Sequence, residues 1–136
     1  MPDDVVLGKV EIIERCLRRI DEEYGHTRAN LYDNWTRQDS ILLNLERACQ
    51  ASIDLALRLI RRQQLGLPRE SREAFVLLEA NGVLPPALSR SLQAMVGFRN
   101  IAVHNYRQLD LRVVEHLLEE RLGDLLAFAK LAVELG

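Results

Sequence analysis

The chain predicts an all-α fold, an antiparallel helical bundle of four long helices and one short one. Three observations lead there. Apolar residues recur at three- and four-residue steps through most of the length, no segment alternates as a strand would, and the breaks between periodic segments are short. At 136 residues, 48% apolar and 28% charged, the chain reads as one domain over 1–136 with material for a sizeable core.

Val6, Val10, Ile13, Leu17, Ile20 and Tyr24 form a heptad stripe that predicts the first helix, with Gly25 placed to end it in a left-handed conformation. Residues 25–36 are polar and aperiodic and read as a loop that Trp35 could dock. Thr36 and Asp39 have capping-box spacing, with Asp in place of Glu or Gln. A broad stripe from Ile41 through Leu45, Cys49, Ile53, Ala56 and Ile60 to Gln63 then predicts a central helix, closed by Gly66 and Pro68. The short helix spans roughly 70–80 with Phe75 and Leu78 inward, stopped by Asn81-Gly82. Pro85-Pro86 opens the next helix, whose stripe is Leu88, Leu92, Met95 and Val96. Asp110 is the expected N-cap of a single last helix lined by Val114, Leu117, Leu118, Arg121, Leu122, Leu125, Phe128 and Ala132.

Composition excludes several classes. No apolar run approaches the ~18 residues that span a bilayer, so no membrane role is expected. The start Met1-Pro2-Asp3-Asp4 is acidic rather than the basic opening of a signal peptide. Cys16 and Cys49 lie among apolar residues without zinc spacing and read as buried, reduced thiols, which points to the cytoplasm. A net charge of −2 argues against a generic nucleic-acid coat. Of the 18 basic residues 16 are arginines, the better residue for bidentate phosphate recognition and equally for ordinary ion pairs.

Chemistry concentrates in Arg99-Asn100-Ile101-Ala102-Val103-His104-Asn105-Tyr106. A histidine gives and takes protons near neutral pH, and an arginine offers a permanent fork of donors that matches a phosphate. On a straight helix Arg99 and His104 lie roughly 140° apart and ~7.5 Å along the axis. One substrate held by one helix fits that poorly. Either the helix ends or distorts near His104, or a second copy of the chain completes the site. Asn100 shares a face with His104 and could hold its tautomer, while Arg99 and Tyr106 share a neighbouring face. A plainer reading makes His104 a helix-end residue complementing the dipole, Arg99 an ion-pair partner and Tyr106 a lid on the core.

Other candidates carry less. His26 reads as an exposed loop residue. His116 and Glu120 share a face but lack a third ligand, so no metal site is expected. Arg58, Arg61, Arg62, Arg69 and Arg72 form the densest basic run, read as solvated helix ends that could otherwise touch RNA or a partner.

The motif Arg99, four residues, His104, one residue, Tyr106 resembles that of the HepT-like members of the HEPN superfamily. The likeness extends through Asn44-Leu45-Glu46-Arg47-Ala48, Asp54-Leu55-Ala56, Arg72-Glu73-Ala74-Phe75 and Met95 to Asn100, covering roughly 36–130. The resemblance implies a toxin endoribonuclease that acts without a metal or cofactor as a homodimer with facing motifs, tRNA being the expected target. Arg99 and His104 would be the cleavage residues. A cognate minimal nucleotidyltransferase antitoxin would silence the toxin by adenylylating Tyr106. Asn100 would support the site. Asp54 could orient motif side chains or serve as a buried polar tie, and Glu46 reads as an ion-pair residue. The alternative is a non-catalytic helical module that binds nucleotide or RNA and positions it for the transferase.

Overall fold

The computed structural model describes residues 3–135, and the elements over them are helical. They are α1 (Asp4–Tyr24), α2 (Arg28–Tyr32), α3 (Trp35–Gln63), α4 (Ser71–Ala80), α5 (Pro86–His104), α6 (Leu111–Glu120) and α7 (Leu122–Leu135), with a 3₁₀ turn at Tyr106–Gln108. The central helix α3 packs against α1, α2, α4, α5 and α7. A broad apolar surface on α3 requires that position, because Ile41, Leu45, Cys49, Ile53 and Ile60 must all be covered.

Polar ties at the rim of that core set α1 antiparallel to α3. Lys9 pairs with Asp54 at 3.1 Å, Arg37 with Glu23 at 4.0 Å, and Asp3 with Arg58 and Arg62 at 3.0 and 2.6 Å. Asp3 also caps α1 by accepting from the Val6 amide at 2.8 Å. That backbone bond, with the two arginines, holds its carboxyl well below the usual carboxylate range. Two of the five arginines in the basic run are therefore structural ties. Further along the core, Phe75 of α4 and Phe128 of α7 meet edge to face with ring centres 5.6 Å apart. Cys16 and Cys49 are both buried, and burial pushes the Cys49 thiol up to about 12.

Several boundaries differ from the sequence reading. Residues 25–36 contain α2, whose Leu31 is fully buried and pins the segment to the core. Asn34, not Thr36, caps α3, its side chain accepting from the Arg37 amide at 3.0 Å. Trp35 docks nothing and stands 81% exposed. At its far end α3 stops at Gln64, itself left-handed at φ 55°, ahead of Gly66 and Pro68. The last helix is two helices: the chain turns at Arg121, and the Asp124 amide bonds back to the Arg121 carbonyl. Arg121 is exposed rather than part of the buried stripe. As expected, Gly25 is left-handed at φ 53°, Pro86 opens α5, and Asp110 caps α6 by accepting from the Arg112 amide.

The break at Arg121 lets α6 lie against α2 while α7 packs on α1, α3 and α5. A polar clasp holds that contact. Glu119 accepts from the Tyr24 hydroxyl and lies 3.0 Å from His26 Nδ1. Glu115 accepts from the Tyr32 hydroxyl at 3.0 Å and pairs with Arg28 at 3.2 Å, while the Arg28 guanidinium lies 4.8 Å from the Tyr32 ring centre. His26 is exposed, as expected, yet engaged.

Candidate functional site

Arg99, His104 and Tyr106 come from the end of α5 and the turn beyond it. Ala102, Phe98 and Met95 anchor that end of the helix in the core, which fixes the outward direction of its neighbours. The helix runs without distortion to His104, and the Asn105 amide still bonds the Ile101 carbonyl at 2.8 Å. The divergence of Arg99 and His104 around the axis therefore holds within one copy. At Asn105 the backbone leaves the helix (φ −153°, ψ 56°) and enters the 3₁₀ turn. Tyr106 consequently lies off the α5 axis, and the expectation that it shares a helical face with Arg99 fails at this break.

Arg99 is half-buried. Its Nη1 donates to the Asn100 side-chain oxygen at 3.2 Å, and its Nε is buried without a hydrogen-bond partner among the described residues. None of the ion pairs among those residues includes Arg99. Asn100 thus engages Arg99 rather than His104, contrary to the expected tautomer role. His104 is the last residue of α5 and exposed. Neither the ion-pair role nor the lid role of the plainer reading is met, since Tyr106 stands 49% exposed.

A shallow groove beside the turn is lined by Asp39, Leu42, Leu43 and Glu46 of α3 together with Ala102 and Tyr106. The Tyr106 hydroxyl donates to Asp39 Oδ1 at 3.5 Å. Burial, and then the nearby Asp39 charge, raise the Tyr106 pKa above its ordinary value, so the phenol stays neutral at neutral pH. Sequence reasoning missed Asp39, which it took only for a helix-start residue. The available signal was the seven-residue spacing of Asp39 and Glu46, which puts both carboxylates on one face of a helix. Glu46 joins no ion pair among the described residues, against expectation.

Asp54 lies elsewhere. Its carboxylate accepts from Lys9 at 3.1 Å and Gln50 at 2.9 Å, and it is a partly exposed tie between α1 and α3 whose bonds reach no motif side chain. It borders a larger hollow of about 760 Å³ between α1 and the end of α3, lined also by Val5, Leu57, Arg58 and Leu67. None of the motif residues lines that hollow. No helix of the described residues is long and apolar enough to cross a membrane.

Comparison with known proteins places this arrangement. Residues 13–132 match a family model described as ribonuclease HepT-like. The chain is 43% identical over 122 residues to the mRNA nuclease HepT of Shewanella oneidensis, covering 90% of this chain and 91% of that protein. It is similar in structure to a tri-AMPylated S. oneidensis HEPN toxin solved in complex with its MNT antitoxin, with a TM-score of 0.89 and 42% identity over 95% of this chain and 96% of that one. A toxin–antitoxin complex solved with AMP-PNP is equally close in shape, with a TM-score of 0.89 and 41% identity over 95% and 97% of the two chains.

Proposed function

Because this chain belongs to the HepT-like ribonuclease family, the endoribonuclease toxins of toxin–antitoxin pairs, we propose that Arg99 and His104 are its cleavage residues and Tyr106 the residue through which its antitoxin silences it. One observation carries the assignment. At the end of α5 and in the turn beyond it, Arg99, His104 and Tyr106 follow one another closely in the chain, and neither Arg99 nor His104 has an ion-pair partner among the described residues. A guanidinium left without a carboxylate is available to a phosphate.

Metal-independent RNA cleavage needs a base for the 2′-hydroxyl, an acid for the departing 5′-oxygen, and cations for the growing phosphate charge. One chain brings one motif histidine, and Arg99 and His104 point apart on it. A homodimer with facing motifs supplies two of each across one cleft. Exposed Ile101 and Val103, 43% and 42% accessible beside the motif, support a covered face there. Arg99 then stabilises phosphate charge and His104 moves the proton. The partner is a nucleotidyltransferase antitoxin, as in the related complexes. AMP on Tyr106 puts a bulky anion where an RNA phosphate must sit. The S. oneidensis relative is named an mRNA nuclease, which favours mRNA over the tRNA expected from the resemblance.

The test uses purified protein, separate mRNA and tRNA substrates, and EDTA. Cleavage that persists in EDTA and is lost in both Arg99→Ala and His104→Ala supports the reading. An equimolar mixture of the two variants should regain part of the activity if residues of two copies share a site. Wild-type protein that leaves both RNAs intact and cells growing without the antitoxin would sink the enzyme reading and favour the binding-module alternative.

A further inference from the structure

We infer that Asp39 is the proton acceptor that readies Tyr106 for adenylyl transfer, an inference that rests on the reading of Tyr106 given above. Asp39 belongs to α3, far from the motif in sequence, and the antiparallel packing of α3 and α5 brings the two together. Its Oδ1 lies 3.5 Å from the Tyr106 oxygen. That distance is at the long end for a hydrogen bond, and such contacts commonly tighten only when the reacting partner arrives.

Two further observations favour this carboxylate. Asp39 joins none of the ion pairs among the described residues, so no cation in them competes with the phenol for it. Its charge is left uncompensated beside a phenol. Tyr106 in turn lines the groove floored by Leu42, Leu43 and Ala102, and remains exposed enough for a second protein to reach its oxygen. Glu46, the other titratable group of the groove, lies two turns further along α3 and makes no bond to Tyr106.

The chemistry requires such a group. A phenol that stays neutral at neutral pH is a weak nucleophile and must lose its proton as it attacks. In the transfer the Tyr106 oxygen forms a bond to the α-phosphorus of ATP. The bond from that phosphorus to the bridging oxygen breaks, and pyrophosphate leaves with the electron pair. The phenolic proton passes to the Asp39 carboxylate, and the balance is complete without a further reactant.

The experiment follows AMP incorporation by intact mass, using the full chain, the cognate nucleotidyltransferase and ATP, from mildly acidic to alkaline pH. Asp39→Asn keeps the volume and an accepting oxygen but cannot take the proton. Its transfer rate at neutral pH should fall on the order of 100-fold with KM for ATP unchanged. It should recover as alkaline pH ionises the phenol directly, and Asp39→Glu should regain much of the rate. An Asp39→Asn rate near that of the wild type, or one depressed equally at every pH, would overturn the inference. Tyr106→Phe separates the two levels: if it is labelled as fast as the wild type, the acceptor tyrosine itself has been misassigned. If it is unlabelled while Asp39→Asn is labelled normally, only the role of Asp39 falls.

Discussion

Two regions of this molecule hold the same three residue types in opposite conditions. In the clasp between α2 and α6, Arg28, His26, Tyr24 and Tyr32 are each taken up by Glu115 or Glu119. At the end of α5 and in the turn beyond it, Arg99, His104 and Tyr106 belong to none of the ion pairs among the described residues; Arg99 bonds the Asn100 side chain, and Tyr106 lies 3.5 Å from Asp39. Tyr24 is 3% exposed and Tyr106 49%. Residue type therefore assigns nothing by itself. A paired guanidinium and a buried phenol hold helices together, whereas an unpaired guanidinium and an exposed phenol remain available to a phosphate or a transferase.

The strongest way to break the comparison is to remove the unpaired groups. Arg99→Ala or His104→Ala should lower RNA cleavage by about 10²–10⁴-fold in a gel-based assay. Substituting the exposed His104 should move stability by no more than ~0.5 kcal/mol in a urea titration. A large loss of stability there would make the motif another clasp. A sharper version converts one region into the other. Asn100 already lies 3.2 Å from the Arg99 guanidinium, so Asn100→Asp should give it an ion-pair partner. Cleavage should drop roughly tenfold as the guanidinium is partly neutralised, with the fold intact by circular dichroism.

The clasp should answer in the opposite sense. Tyr24→Phe removes the hydroxyl that Glu119 accepts, and should cost about 1 kcal/mol in denaturant titration while leaving the rate of RNA cleavage unchanged. The smallest effect is one of pH. The hydrogen bond from Tyr24, then that from His26, lowers the Glu119 pKa on folding. A carboxyl lowered in this way contributes stability that is fully present above its unfolded pKa and lost as pH falls through the folded one. The thermal midpoint should therefore decline on acidification through the carboxylate range, and Glu119→Gln should show less of that decline. A decline as steep in the variant would show that the clasp is not its source.

Much of this was legible in the residues. The heptad stripe of α1, the broad stripe of α3, Pro86 and the Asp110 cap all follow from local rules, and the bundle follows from them. The motif was legible too, because Arg99, His104 and Tyr106 stand close together in the chain. The misses have a common cause. Asn34 won the cap of α3 over Thr36 because its side chain reaches the Arg37 amide, a competition between neighbours that spacing cannot rank. The segment 25–36 looked like a loop because α2 is held by one buried leucine and by the Glu115 carboxylate, more than eighty residues away. Asp54 and Asp39 sit on the same helix, and only tertiary packing decides which meets Lys9 and which meets Tyr106.

The two cysteines carry a practical consequence. They are the only thiols in the chain, both are buried, and that of Cys49 is held protonated far above neutral pH. Thiol reagents react through the thiolate, so the folded surface is blank to them. A single cysteine placed at exposed Trp35 or Arg107 would then be the one position a fluorophore or spin label attaches to. Such a label would report distances between copies, or the arrival of the transferase beside Tyr106, without either native cysteine first being removed.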